Sequence, residues 1–297
     1  MRSLIVAKKE FSDIVTSKRF IALLAAMVIF FLMSVLQTLS TTSGGRMSMT
    51  PVISFFGGSV AFIGGIFGIA LGFDLITKEK ETGTLRTLLT RPVFRDEVII
   101  GKGIAAFLAI CVAVGITSLF MLGALTLYYT PSSEELSKLA KMMLVTIAYL
   151  YTFFSIAFLI SAIVKSSSTA LTIAIGVFIV LALLLPLFSN YIAQVIVGSP
   201  PESPIGIEIG RNIGNITDDP RIRSYMEEMR NYREKVQSIT STLSIFSPVS
   251  SYSTILNSLT ASGYFRTLDI TKNLLSFIII PVVLFALAYV RFTREEL

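Results

Sequence analysis

Six apolar runs of membrane-crossing length constrain this chain more than any other feature. They fall at Phe20–Leu39, Pro51–Ile76, Ile104–Tyr129, Met142–Val164, Thr169–Phe188 and Leu274–Val290. About 20 residues of helix cross a ~30 Å hydrocarbon core. A bilayer offers no water to an unpaired backbone, so such spans must be helical. The last run is short, and it reaches if Tyr289 and Arg291 sit at the interface. Charge agrees: 15% of residues are charged, against roughly a quarter in a soluble domain, and mean hydropathy is +0.76. The expected fold is an all-α membrane protein with six transmembrane helices in a single domain over 1–297. Within it, 1–19 forms an N-terminal amphipathic helix, 20–188 holds helices one to five, 189–272 is a helical outer segment, and 273–297 carries helix six and a tail.

Orientation follows from the basic residues. With the N-terminus inside, one side gathers Arg2, Lys8, Lys9, Lys18, Arg19, Lys78, Lys80, Arg86, Arg91, Arg95, Lys102, Lys165, Arg291 and Arg294. The short outer loops hold Arg46, Lys138 and Lys141. Both termini are therefore expected in the cytoplasm. The +6 net charge is explained by topology, with no nucleic-acid partner. The first apolar run is too long for the core of a cleaved signal peptide. Ahead of it, Leu4, Ala7, Phe11, Ile14 and Val15 recur at helical spacing. That pattern fits either a helix in the headgroup plane or a plain extension of the first span.

Several chemistries are excluded. The chain has no histidine, and Cys111 lies mid-span, which removes Ser–His–Asp triads and His-based metal sites. No GxxxxGK[ST] occurs, so ATP is not bound by a P-loop. The spans carry almost no ionisable groups: Asp74 and Lys102 sit at span ends, and Gln37 and Gln194 are only polar. Ion-coupled transporters generally carry acids or bases at membrane depth as relays, although backbone carbonyls at a broken helix can also bind an ion. Uphill transport by this chain would draw its energy from another subunit.

That directs attention to DLITKEKETGTLRTLLTRPVFRDEVIIGK, from Asp74 to Lys102, a charged patch between two apolar runs. Thr82 or Thr84 can cap a helix with Glu79 and Glu81 near its positive end. Gly83 permits a tight backbone. Leu85, Leu88 and Leu89 then share one face, and Pro92 stops the helix. Such a face either inserts into a partner's groove or dips into lipid.

The combination of Glu79, Glu81, Gly83, Thr84, Leu85, Leu88, Leu89 and Pro92 with Arg95, Glu97, Gly101 and Lys102 resembles the ABC-2 type permeases. The opening AKKEFSDIVTSKRF and Ser247-Pro248 before the last span fit the same family, and the resemblance extends over the whole chain. It is most similar in flavour to permeases associated with multicopper-enzyme and nitrous oxide reductase maturation. The resemblance implies a transmembrane permease subunit of a prokaryotic plasma-membrane ABC exporter. A second permease subunit, as a homo- or heterodimer, and two separately encoded ATPase subunits would complete it. The 79–92 element would be the coupling helix. ATP and Mg would be bound by the ATPase and no cofactor by this chain. The runner-up reading is a secondary transporter or channel not driven by ATP. An intramembrane enzyme is opposed by the missing histidines.

Three further patterns complete the reading. Gly64, Gly68 and Gly72 form consecutive GxxxG spacings, a face for close helix approach, either static or sliding. Pro186 kinks or ends the fifth helix. Beyond the Ser199–Pro204 linker, Asp219-Pro220 opens a long helix whose stripe is Ile222, Tyr225, Met226, Met229, Tyr232, Val236, Ile239, Leu243 and Phe246. Asn215-Ile216-Thr217 is a bare glycosylation sequon. Met47/Met49 and Met226/Met229 are thioether pairs that suit Cu(I), yet without His or outer Cys no metal site is expected.

Overall fold

A computed structural model describes residues 2–41, 49–83, 95–128, 130–202, 220–260 and 270–294. Every described element is helical, in the order α1 (Arg2–Val15), α2 (Lys18–Thr41), α3 (Met49–Gly72), α4 (Thr77–Glu81), α5 (Arg95–Thr126) and α6 (Ser133–Ile163). Then come α7 (Ser167–Ile179), a π-turn (Val180–Leu184), α8 (Leu185–Val197), α9 (Pro220–Ile245), α10 (Pro248–Thr260) and α11 (Thr271–Thr293). Six helical stretches are long and apolar enough to cross a membrane: Lys18–Ser40, Thr50–Glu81, Asp96–Thr126, Ser133–Ile163, Ser167–Val197 and Thr271–Thr293.

Helix α6 is the axis of the bundle. Its apolar window is 67% buried, against 28% for α2 and α11 and 17% for the fifth stretch. It starts with a capping box between Ser132 and Glu135, which satisfies two orphan amides reciprocally. Against it lies α3, brought close by its glycines. A Cβ at Gly68 would collide with the Leu150 carbonyl oxygen, and one at Gly72 would stand 2.7 Å from the Phe154 oxygen. A Cβ at Gly64 would stand 3.0 Å from the Leu150 side chain. The GxxxG face therefore meets backbone of the same chain.

The fifth stretch does not end at Pro186. Proline has no N–H to donate to the residue four back, and its ring crowds that carbonyl. The chain widens into the π-turn immediately before it and continues as α8 to Val197. Single π-turns of this kind absorb such mismatches inside long helices.

Helix α9 follows, with the expected stripe mostly half-buried; Met226 and Phe246 are exposed, at 62% and 63%. It runs back along the fifth stretch. Thr240 bonds Asn190 (3.3 Å), and further on Ser247 bonds the Leu181 carbonyl (2.8 Å). The chain thus descends into the bundle and turns at Ser247-Pro248. There Ser247 caps the Ser250 amide (3.2 Å) and proline takes the first helical position, where its missing N–H costs nothing. Helix α10 then climbs back, with Leu256 over Gly57 and Tyr252 stacked on Tyr149 at 4.6 Å. At 1.5 Å per residue it is about 20 Å long, too short to cross. Among the described residues, the segment between the fifth and sixth spans therefore includes a helical hairpin whose second arm packs into the bundle, which the sequence pattern alone does not disclose.

Buried hydroxyls at the hairpin are paired. Tyr252 and Thr146 share a bond of 2.9 Å, Ser251 bonds Asn273 (3.1 Å), and the Tyr149 hydroxyl donates to the Ala61 carbonyl. Pairing of this kind is required where no water reaches.

Candidate functional site

The opposite end of the bundle collects α1, the start of α2, the end of α3, α4 and the start of α5 around a cavity of about 660 Å³. Its floor is apolar, with Ile14, Ala70, Leu71 and Leu75, and its walls carry Lys9, Glu10, Asp13, Arg19, Asp74, Lys78, Glu79 and Lys102. By sequence, Asp74 and Lys102 sit at span ends. In the structure both are paired.

Lys102 lies in the first turns of α5 with its side chain only 3% exposed. A buried ammonium needs compensation. Two carboxylates supply it: Glu79 of α4 at 2.8 Å and Glu10 of α1 at 3.1 Å. Arg19, opening α2, pairs Asp74 at 2.6 Å and stands 5.3 Å from the Phe73 ring. At the rim, partial burial works to lower the basicity of Lys9, but the Glu10 and Asp13 carboxylates outweigh it and hold the ammonium above its usual range.

Helix α1 reaches this position because its packing stripe faces α5. Ala7 and Ile14 are buried, and Gly101 leaves room for Val6, which a Cβ would meet at 2.8 Å. Glu10 sits on the same buried side. Leu4 and Ile5 remain exposed at 62% and 69%, so the stripe is divided between protein contact and an open face.

Helix α4 is held as firmly. The Ser161 hydroxyl at the end of α6 accepts from the Ile76 and Thr77 amides, both at 3.1 Å. It satisfies donors that a helix start leaves orphaned. Lys80 reaches the Ala162 carbonyl at 2.8 Å. Glu81 accepts from the Ser167 amide (2.9 Å) and hydroxyl (2.8 Å). Ser166, the N-cap of α7, makes no side-chain cap of its own, so Glu81 supplies the anion that this helix start favours.

The candidate coupling residues thus divide. Glu79 turns inward onto Lys102, while Glu81 stays exposed and bonds Ser167 at the surface. Thr82 ends α4, its hydroxyl donating back to the Lys78 carbonyl (2.8 Å). Gly83 takes φ +68 with nothing near its missing Cβ, a left-handed turn that redirects the chain. Thr84, Leu85, Leu88, Leu89 and Pro92 lie outside the described residues, as do Met47, Asn215 and the Asp219 cap. Among the described residues no group of His, Cys, Asp or Glu is arranged to hold a metal.

Glu10, Arg19, Ser161 and Ser167 are site residues that the sequence reading missed. One signal was available: Lys102 follows Gly101 at the edge of an apolar run, and a lysine at the edge of a span calls for a partner.

A family model described as ABC-2 family transporter protein matches residues 4–297. The chain is also similar to the probable ABC transporter permease protein NosY of Stutzerimonas stutzeri. It is 28% identical to that protein over 192 residues, which cover 61% of this chain and 67% of the relative.

Proposed function

Because this chain belongs to the ABC-2 family of transporter proteins, a family of membrane permeases rather than enzymes, we propose that it is the transmembrane subunit of an ABC exporter. It works in the cell membrane as one of a pair, with both termini in the cytoplasm. Two separately encoded ATPase subunits drive it by docking on the 79–92 element, with Leu85, Leu88 and Leu89 in an ATPase groove.

The observation that carries this reading is the anchoring of the segment just before those residues. Through Lys102, Ser161, Ala162 and Ser167, α4 is bonded to α5, α6 and α7, and through the shared Lys102 to α1. A push delivered beyond Gly83 therefore acts on most of the bundle at once. A lipid-anchored loop has no need of such wiring.

In this reading the cargo would pass along the face of α2 and α3 turned from α6. A groove of about 860 Å³ there is mainly apolar, with Phe30, Met33, Leu36 and Phe55, and carries Ser34, Gln37, Ser40, Ser54, Gly58 and Ser59 among them. The serines spend their protons on their own helices, as Ser54 does on Thr50 and Ser59 on Phe55. Ser34 is buried, while the oxygens of Ser40, Ser54 and Ser59 stay available to accept from a passing molecule.

Purification of the tagged chain from its native membrane tests the assembly. A nucleotide-hydrolysing subunit should co-isolate in equal amount. Isolation of the chain without any ATPase, together with transport that survives ATP depletion, would overturn the proposal in favour of a secondary transporter or channel.

A further inference from the structure

The two carboxylates on Lys102 are not equivalent. Glu10 uses both oxygens, one on Lys102 and the other on Lys9 at 3.4 Å. Glu79 uses only Oε1, and its Oε2 is buried with no hydrogen-bond donor among the described residues. A buried acceptor left without a donor is costly, so the Glu79 arm is the one that gains by leaving. Glu79 also borders the charged cavity, so a small displacement of α4 returns it to water.

Removing one member of a buried ion pair ordinarily strands a charge. Three groups avoid this. If Glu79 departs with α4, Glu10 still neutralises Lys102, and the lysine is never orphaned. Such an exchange has two discrete arrangements, the kind of element that passes a small displacement between distant parts of a protein.

We propose that Lys102 is the pivot of the coupling device. It is a positioning residue that locks α4 to α5 through Glu79 in one state and releases that arm, keeping Glu10 and α1, in the other. The inference rests on the ATPase-driven reading above and extends it by naming the latch.

The test uses the chain with Cys111→Ser, co-purified with its ATPase subunits in lipid nanodiscs, with spin labels at Lys8→Cys on α1 and Lys78→Cys on α4. The distance distribution is compared without nucleotide and with ATP and vanadate. The pivot predicts a nucleotide-dependent shift in the parent, its retention in Lys102→Arg, and its loss in Lys102→Met and Glu79→Gln, with the ATPase still co-purifying. Glu79→Gln leaves Lys102 neutralised by Glu10, so it decides the matter if Lys102→Met does not insert. The triple change Glu10→Leu, Glu79→Leu and Lys102→Met restores buried volume without charge; it should assemble and still fail to shift. A normal shift in Glu79→Gln, or a recovered shift in the triple variant, overturns the pivot. A parent that holds its ATPase but never shifts also overturns the pivot, alone. A parent with no ATPase overturns both readings.

Discussion

Gly68 has a backbone carbonyl where a side chain would stand, while Gly58, ten residues earlier on the same helix, has nothing within 4 Å of its missing Cβ. The two predict opposite outcomes. Gly68→Leu must force α3 from α6, at or above the upper end of the ~1–3 kcal/mol that overpacking costs. Gly58→Ala should stay within about 0.5 kcal/mol of wild type. Unfolding in mixed detergent, followed by helical circular dichroism, separates them; equal loss from both would show that the glycine face is not the close contact. At Gly83 the constraint is conformational. Its φ of +68 costs a residue with a Cβ roughly 1–2 kcal/mol, and a β-branched one resists most. Gly83→Val should insert normally, since Gly83 lies beyond the Thr50–Glu81 stretch, and should lose ATP-driven activity. Wild-type hydrolysis and transport in that variant would remove the turn from the account.

Helix α10 shows what an element's own residues can and cannot disclose. Six spans are legible because the length of an apolar run is a local property. The 13-residue sequence PVSSYSTILNSLT is too short and too rich in hydroxyls to announce a buried helix. Its burial depends on Gly57, Thr146 and Tyr149 on distant elements. Pro186 was legible as a disturbance, but not as a π-turn that lets the helix continue. The coupling patch divides in the same way: its charge singles out Glu79 and Glu81, yet their targets lie on α5 and α7, and no spacing reveals which way a carboxylate turns. If α10 is held mainly by Tyr252, which is fully buried, Tyr252→Ala should cost about 3–5 kcal/mol locally. Hydrogen exchange should then rise over 248–260 while α5 stays protected. Unchanged protection of that hairpin would mean its anchor is elsewhere.

At the scale of the whole molecule, the account requires the Lys102 cavity and residues 84–92 to share the cytoplasmic side with both termini, as the basic residues predict. With Cys111→Ser as background, Thr87→Cys should react with a membrane-impermeant thiol reagent only after the cells are opened. Labelling in intact cells would invert the topology. The central claim is that a soluble ATPase, and not lipid, receives the leucine face. Each of Leu85, Leu88 and Leu89 would bury surface worth roughly 1.5–3 kcal/mol in such a groove, so Leu85→Asp should detach the ATPase without affecting membrane insertion. The most direct measurement replaces Leu88 with a photo-crosslinking amino acid in the native membrane and identifies what it captures. The account predicts a covalent adduct with a nucleotide-binding subunit, abolished when Leu85→Asp is added. An adduct with phospholipid alone would contradict it.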